Sequence, residues 1–111
     1  MNYKIKVYRH FEKEVKKLSK RYKSLKQDLT ILAAELMQNP DMGTDLGNGL
    51  HKVRMSIASK GKGKSGGARV ITYVLCLCVD SIRVRLLTIY DKSEIANVSD
   101  SYLQMLIDQE N

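Results

Sequence analysis

Eight side chains between residues 52 and 92 have the chemistry to bind and cleave a phosphodiester. They are seven cations and one phenol: Lys52, Arg54, Lys60, Lys62, Lys64, Arg69, Tyr90 and Lys92. An arginine fork binds two phosphate oxygens and keeps its charge at any working pH, while a lysine supplies a point charge. The sequence contains no P-loop, His-Glu-x-x-His or Gly-x-Ser-x-Gly pattern and no paired-carboxylate spacing, so nucleotide phosphoryl transfer, metalloprotease chemistry and serine hydrolysis are not indicated.

One reaction suits these residues without a metal or cofactor: cleavage of RNA by attack of a ribose 2′-hydroxyl on the adjacent phosphate. The substrate supplies the nucleophile, so the protein must align the chain, withdraw a proton, stabilise the phosphorane charge and protonate the 5′-oxygen. Tyr90 has two interpretations. In the first it is functional: it stacks on a base, or it exchanges a proton because nearby cations lower its pKa. In the second it is structural and packs against the last helix.

The segment between residues 60 and 69 (Lys-Gly-Lys-Gly-Lys-Ser-Gly-Gly-Ala-Arg) contains four cations and four glycines and no acid. Glycine permits positive φ, so this composition predicts a mobile cationic loop. It is typical of a loose basic arm and also of the rim of an active site. The strands predicted on both sides favour the rim, with Arg69 as the phosphate contact. Lys60, Lys62 and Lys64 then hold the RNA chain.

The distribution of charge also favours a polyanionic partner. The 111 residues carry a net charge of +7 and are 43% hydrophobic, which predicts one globular domain over residues 1–111. Residues 1–26 and 51–70 are strongly basic, whereas residues 27–50 and 91–111 are acidic. Charge runs are often simply solvated helix faces, an interpretation that fits residues 1–26 as well as a binding surface does.

Neither a membrane span nor a metal site is predicted. No apolar run approaches the ~20 residues that a transmembrane helix needs, and the N-terminus lacks a secretory signal pattern, so we expect a cytoplasmic protein. Cys76 and Cys78 lie in an apolar run and are predicted to be buried thiols. Two cysteines and the isolated His10 and His51 do not form a zinc-binding pattern, so the histidines are expected to be structural or exposed.

Hydrophobic periodicity predicts an α+β fold. Residues 3–8 alternate as a strand, and apolar residues then recur at steps of three and four, which predicts helices over 10–21 and 24–38. Ser24 and Gln27 have capping-box spacing at the second helix. After a loop over 40–49, strands are predicted at 50–58, 70–79 and 82–90, followed by a C-terminal helix with Ser99 as its N-cap. The helices are expected to pack on a small, mainly antiparallel sheet.

Two sequence segments carry a resemblance to a known family. Residues 60–73 read K-G-K-G-K-S-G-G-A-R-V-I-T-Y and residues 86–94 read L-L-T-I-Y-D-K-S-E. With the order of elements, they closely resemble the RelE/ParE superfamily of bacterial type II toxins, in particular its HigB-like branch. The resemblance covers nearly the whole domain. It implies a compact α+β toxin that enters the ribosomal A site and cleaves mRNA there, held inactive by a cognate antitoxin.

The resemblance also implies roles for particular residues. Arg69 corresponds to the arginine that opens the central strand and contacts the scissile phosphate, and Arg54 to a cation of the preceding strand. Tyr90 and Lys92 occupy the end of the last strand, where the family commonly places further catalytic side chains. Several relatives have a tyrosine shortly after that strand, where this sequence has Val98, so the general base is not assigned. The alternative is a ParE-like inhibitor of DNA gyrase or an inactive relative that only pairs with an antitoxin.

Overall fold

The computed structural model describes residues 2–110, which form a five-stranded sheet and three α-helices. The elements are β1 (Asn2–Val7), α1 (Arg9–Arg21), α2 (Leu25–Gln38), β2 (Thr44–Gly47), β3 (Leu50–Met55), a 3-10 turn (Ala58–Lys60), β4 (Ala68–Cys78), β5 (Ser81–Asp91) and α3 (Asp100–Glu110). The strand order is β1-β5-β4-β3-β2, with β1 parallel to β5 and the other neighbouring pairs antiparallel. The predicted α+β architecture is confirmed. Within residues 2–110, no helix has both the length and the apolar composition of a membrane span.

The predicted helical hairpin forms, but its second helix starts without the expected cap. Phe11 and Leu18 of α1 and Leu36 of α2 are buried, as the apolar stripe predicts. Ser24 has helical backbone angles, φ −83° and ψ −5°, and its side chain caps no backbone N–H of the helix. Its hydroxyl instead donates to Asp28 at 2.8 Å and accepts from the Ser59 N–H at 2.8 Å. The capping-box prediction is wrong because this hydroxyl joins α2 to the 3-10 turn.

One strand was not predicted. Residues 40–49 were expected to be a loop, but Thr44–Gly47 forms β2 and pairs antiparallel with β3. This four-residue strand is glycine-containing and polar, a composition that is depleted in strands. It forms because the turn over Asn48 and Gly49, both with positive φ, folds the chain back onto the edge of β3.

The central strand extends beyond the covered part of the sheet. β4 lies between β3 and β5, as predicted, and its first five residues are buried. The pairing with β3 ends where Leu50 faces Tyr73, so the last residues of β4 pair only with β5. Cys76 and Cys78 are therefore exposed, and the prediction of buried thiols is wrong. An apolar run does not reveal how far a strand continues past its neighbours.

The two faces of the sheet carry different side chains. We call the surface that bears Leu50, Arg54, Arg69, Tyr73 and Tyr90 the site face, because the strand register and side-chain alternation place these residues on one side. Helix α3 lies on the site face, where its residues line a cavity together with Leu50 and Tyr73.

The C-terminal helix is held as the sequence predicts. Ser99 accepts a hydrogen bond from the Tyr102 N–H at 3.1 Å, which confirms the N-cap. His10 contacts Thr88 at 2.9 Å and the Tyr102 hydroxyl at 3.2 Å, so its ring joins α1, β5 and α3. Burial lowers the pKa of His10. Its role here is structural, and His51 is buried as well.

The packing of α2 supplies a stability test. Leu36 is 0% exposed and Ile31 is 57% exposed, although both are apolar residues of the same helix. Leu36→Ala leaves a core cavity and is expected to lower the free energy of unfolding by about 2–5 kcal/mol. Ile31→Ala is the matched control and is expected to change it by no more than about 0.5 kcal/mol. Urea unfolding followed by circular dichroism measures both, and equal losses would contradict this assignment of the core face.

Candidate functional site

Three of the sequence-predicted site residues form a row across the sheet. Arg54 of β3 faces Arg69 of β4, and Arg69 faces Tyr90 of β5. Neighbouring strands lie about 4.8 Å apart, so residues separated by 15 and 21 positions in the sequence become direct neighbours. The row puts two guanidinium groups and one phenol on the site face, close to the end of the glycine-rich loop.

Arg69 is held by the loop that precedes it. Its side chain is buried, with the residue only 4% exposed. One terminal nitrogen, Nη1, donates to the carbonyl oxygens of Lys64 at 2.9 Å and Ala68 at 3.1 Å, and Nη2 donates to that of Ser65 at 3.2 Å. These bonds use three of the five N–H groups of a guanidinium. Arg69 therefore folds the loop against the sheet while its charge has no acidic partner among residues 2–110.

Tyr90 is buried beside Arg69 and its hydroxyl has no hydrogen-bond partner among the described residues. Burial raises the pKa of the phenol, and the neighbouring Arg69 only partly offsets this effect. The expectation of a pKa lowered by cations is therefore wrong, because desolvation of the phenolate outweighs attraction to the guanidinium. The ring lines a cavity of about 440 Å³ together with residues of the segment 95–99. Tyr90 is thus a neutral donor with no acceptor.

Lys60 forms an ion pair with Asp91, away from the row. Its ammonium donates to Asp91 Oδ1 at 2.6 Å and to Ser93 Oγ at 3.2 Å, and the side chain is 11% exposed. It also lies 5.6 Å from the centroid of the Tyr22 ring. Asp91 alternates with Tyr90 along β5, so this pair belongs to the opposite face of the sheet. The structure does not bring Lys60 together with Arg54 and Arg69.

The remaining predicted cations are exposed, apart from the half-buried Lys52. Arg54, Lys62, Lys64 and Lys92 are exposed. Lys64 lies 3.8 Å from Glu35, and Lys52 donates to Asn97 at 3.2 Å. The Lys92 N–H donates to the Gly67 carbonyl at 3.1 Å, which joins the end of β5 to the base of the loop.

The glycine-rich loop has more fixed structure than its composition predicts. A 3-10 turn opens it, and Gly61 and Gly63 adopt φ of +72° and +63°, which favours glycine. Gly67 is required for another reason: a Cβ at this position would lie 2.1 Å from the carbonyl oxygen of Met55. The loop base therefore packs directly on the end of β3, and the loop between Lys60 and Arg69 is anchored at both ends.

Asp91 was not assigned a role from the sequence, yet it organises the base of the site. Its carboxylate accepts from the Tyr22 hydroxyl at 2.5 Å, from the Lys60 ammonium, and from the Ser93 N–H at 2.9 Å. Burial alone would raise the pKa of Asp91, but the hydrogen bonds from Lys60, Tyr22 and Ser93 outweigh it and hold the pKa well below its ordinary value. An Asp side chain often accepts a hydrogen bond from the backbone N–H two residues later, which is called an Asx turn. This tendency is the one sign in the sequence of the role that Asp91 has.

A comparison with known protein families agrees with this architecture. The family model described as the RelE toxin of the RelE / RelB toxin-antitoxin system matches residues 4–108. The chain belongs to the RelE toxin family. It is therefore a toxin of a type II toxin-antitoxin system, and membership implies a cognate antitoxin as its partner. The match spans β1 to α3, so the row, the loop and the Asp91 cluster all lie inside the family domain of this RelE-type toxin.

The Asp91 cluster predicts how the stability of the toxin depends on pH. Asp91→Asn leaves Lys60 without its anion and is expected to cost about 3 kcal/mol of unfolding free energy at neutral pH. Because the folded-state pKa of Asp91 is depressed, its contribution is complete above the ordinary carboxyl pKa of about 3.9 and is lost as the pH falls below it. Urea unfolding between neutral and acidic pH should show the difference between parent and variant shrink.

The exposed Asp41 provides the matched control for this experiment. Asp41→Asn removes the same charge without touching the cluster and should change stability by no more than about 0.5 kcal/mol. A stability difference between parent and Asp91→Asn that stays constant down to low pH would contradict the ionised, multiply bonded carboxylate.

Proposed function

We propose that this RelE-type toxin is a ribosome-dependent mRNA endoribonuclease that uses the 2′-hydroxyl of its substrate as the nucleophile. The row formed by Arg54, Arg69 and Tyr90 carries the proposal. It brings two arginines and an unpartnered phenol together on neighbouring strands, on a face where Lys52 adds a third cation. Such an arrangement can bind a phosphodiester and stabilise the extra charge of the phosphorane.

The two arginines have different roles in this proposal. Arg54 is exposed and meets the RNA backbone first, together with Lys62, Lys64 and Lys92. Arg69 contacts the phosphate at which the chain is cut, because its backbone lies in the centre of the sheet and its charge has no acidic partner among residues 2–110. Its guanidinium fork can bind two oxygens of the phosphorane as negative charge develops there.

Substrate binding requires the loop to release Arg69. In the free toxin its guanidinium donates to the neutral carbonyls of Lys64 and Ser65. A phosphate oxygen is charged and forms a stronger hydrogen bond with arginine than a carbonyl does, so RNA can replace these acceptors. The freed carbonyls then face solvent, and the glycines at 61, 63 and 66 allow the loop between the two anchors to change conformation.

Tyr90 enters the reaction as a neutral donor in this proposal. Its raised pKa means that the phenol carries its proton at neutral pH, so it can donate to a phosphorane oxygen or to the departing 5′-oxygen. No side chain is assigned to remove the proton of the 2′-hydroxyl.

The wider setting follows from the same proposal. We assign the toxin to the HigB-like branch and place its action in the cytoplasm, on mRNA in the ribosomal A site, beside ribosomal RNA. Lys52, Lys60, Lys62 and Lys64 were predicted to bind RNA. We retain Lys52, Lys62 and Lys64 in that role and assign Lys60 to the ion pair with Asp91. The antitoxin is expected to cover the basic surface around the row.

The burial of two row residues favours an alternative function without nuclease activity. Arg69 and Tyr90 are 4% and 5% exposed, as side chains with a purely structural role would be. A toxin in which the row never opens would act without nuclease activity, as a ParE-like inhibitor of DNA gyrase or as an antitoxin-binding relative. Mapping of mRNA ends after induction in cells separates the two: blocked translation with mRNA fragments supports the nuclease, whereas DNA damage with filamentation supports the alternative.

Substitution of Arg69 tests the catalytic assignment. Arg69→Ala removes the proposed phosphorane contact and should lower cleavage of mRNA on translating ribosomes by about 100-fold or more. Arg69→Lys keeps a charge but loses the fork, so it should recover only part of the activity. Lys16→Ala on the exposed side of α1 is the control for loss of one cation. Full activity of a folded Arg69→Ala protein would refute the assignment.

Substitution of Tyr90 separates its catalytic and packing roles. Tyr90→Phe keeps the ring and removes a buried hydroxyl that has no partner, so the free energy of unfolding should stay the same or rise by about 1 kcal/mol. If the hydroxyl donates during cleavage, the rate on ribosomes should fall at least tenfold in the same variant. Unchanged cleavage would show that Tyr90 only fills the core.

A further inference from the structure

A second group of cations lies on the site face, at the opposite end of the sheet from the row. Lys4 of β1 faces Arg83 of β5, and Lys6 faces Arg85. We call these four residues the cation ladder. They share a side of the sheet because parallel neighbours in register point the same way. Arg85 and Arg83 also face Tyr73 and Leu75 of β4, which puts the ladder on the side of Arg69.

The ladder is an unfavourable arrangement for stability alone. Like charges on neighbouring strands repel each other, and no acidic side chain among residues 2–110 forms an ion pair with any of the four. Lys4 and Lys6 are exposed, and Arg83 and Arg85 are half-buried. The nearest acid in the sequence is Asp80, in the exposed turn that precedes β5. Four uncompensated cations create a local positive potential.

Arg85 also has an unused donor. Its guanidinium lies 6.0 Å from the centroid of the Tyr8 ring, and Nη1 donates to the Tyr8 hydroxyl at 3.4 Å. Its Nε is buried and has no partner among the described residues. The stack on Tyr8 restrains the guanidinium, and the buried Nε leaves Arg85 with a hydrogen-bond donor that is unsatisfied in the free toxin.

We propose that the cation ladder is a second RNA-binding surface, which grips the phosphate backbone of RNA outside the cleavage row. This inference rests on the proposed nuclease function and extends it. The ladder side chains are all donors and none is an acceptor, which suits phosphate oxygens. No apolar residue separates them on this face of β1 and β5, whereas the core of a protein interface is depleted of charge and rich in apolar groups. RNA therefore fits the ladder better than a protein partner does.

The two surfaces engage separate stretches of RNA. Arg69 lies four residues before Tyr73 on β4, which corresponds to about 13 Å along the strand. Helix α3 lies on the same face, where its residues line a cavity together with Leu50 and Tyr73. Its C-terminal part is acidic, and Glu110 accepts a hydrogen bond from the Arg9 N–H at 2.7 Å. The acidic end of this helix repels RNA, and together with the distance along β4 this favours separate stretches of RNA at the row and at the ladder.

The test uses a fluorescent single-stranded RNA with 2′-O-methyl groups, which cannot be cleaved by 2′-hydroxyl attack. Its affinity for the toxin is measured by anisotropy between about 50 and 200 mM salt. The triple variant Lys4→Gln, Lys6→Gln, Arg83→Gln should bind at least tenfold more weakly at low salt. Its slope of log affinity against log salt should be less steep by about two, since each lost phosphate contact removes about 0.7. Arg85 is left in place because it packs on Tyr8.

The matched control removes three exposed cations elsewhere: Lys16→Gln, Lys20→Gln and Lys23→Gln. The control should lose much less affinity and salt dependence. Equal losses in both variants would show that only net charge matters and would overturn the proposal, as would unchanged RNA affinity combined with lost antitoxin binding. If the triple variant fails to fold, Lys4→Gln with Lys6→Gln tests the same surface at its two exposed positions.

Sedimentation with ribosomes distinguishes the sources of the RNA. Loss of ribosome association in the triple variant supports ribosomal RNA as the ligand, and loss of bare RNA binding alone supports mRNA. No loss in either measurement refutes the ladder. The parent's cleavage activity is measured separately, so a parent that binds RNA through the ladder but does not cut mRNA would refute the nuclease and leave the binding surface intact.

Discussion

The carboxylate of Asp91 connects the segments from which the candidate site is built. It receives hydrogen bonds from Tyr22 after α1, from Lys60 at the start of the loop and from Ser93 after β5. A buried carboxylate is stable only when such donors replace water, so the three segments must come together before the anion can be buried. Arg69 and Tyr90 depend on this arrangement, because the loop that covers Arg69 begins at Lys60 and the strand that carries Tyr90 ends at Asp91.

In the free toxin, the two side chains with proposed roles in the reaction, Arg69 and Tyr90, are buried. Arg69 donates to backbone carbonyls of the loop, and Tyr90 lies beside the segment 95–99 with an unpartnered hydroxyl. Both groups lack the partners that would satisfy them most strongly, an anion for the arginine and an acceptor for the phenol. This incomplete satisfaction is consistent with a site that becomes complete when a phosphodiester binds. It also distinguishes the row from the Asp91 cluster, in which every group is already paired.

The local elements could be predicted because their causes are local. The apolar stripe from Phe11 to Leu36, the Ser99 N-cap and the alternation of β3 appear in the structure with boundaries shifted by a few residues. The failures have non-local causes. The Ser24 hydroxyl is taken by Ser59, which is 35 residues away, and Cys76 and Cys78 are exposed because β4 extends beyond β3. β2 is the exception, since the Asn48-Gly49 turn that pairs it with β3 is a local hairpin signal in the sequence.

The sequence by itself determined the fold class, the family segments and the concentration of cations between Lys52 and Arg69. It also supplied Arg69 and Tyr90 as candidates, because residue type limits which groups can bind phosphate. Only the tertiary structure decided that Arg54, Arg69 and Tyr90 are neighbours, that Lys60 turns to Asp91, and that Lys4 and Lys6 meet Arg83 and Arg85. Strand register and burial set these relationships, and both depend on the whole sheet. For the same reason the pKa of Tyr90 rises where its cationic neighbours alone would have lowered it.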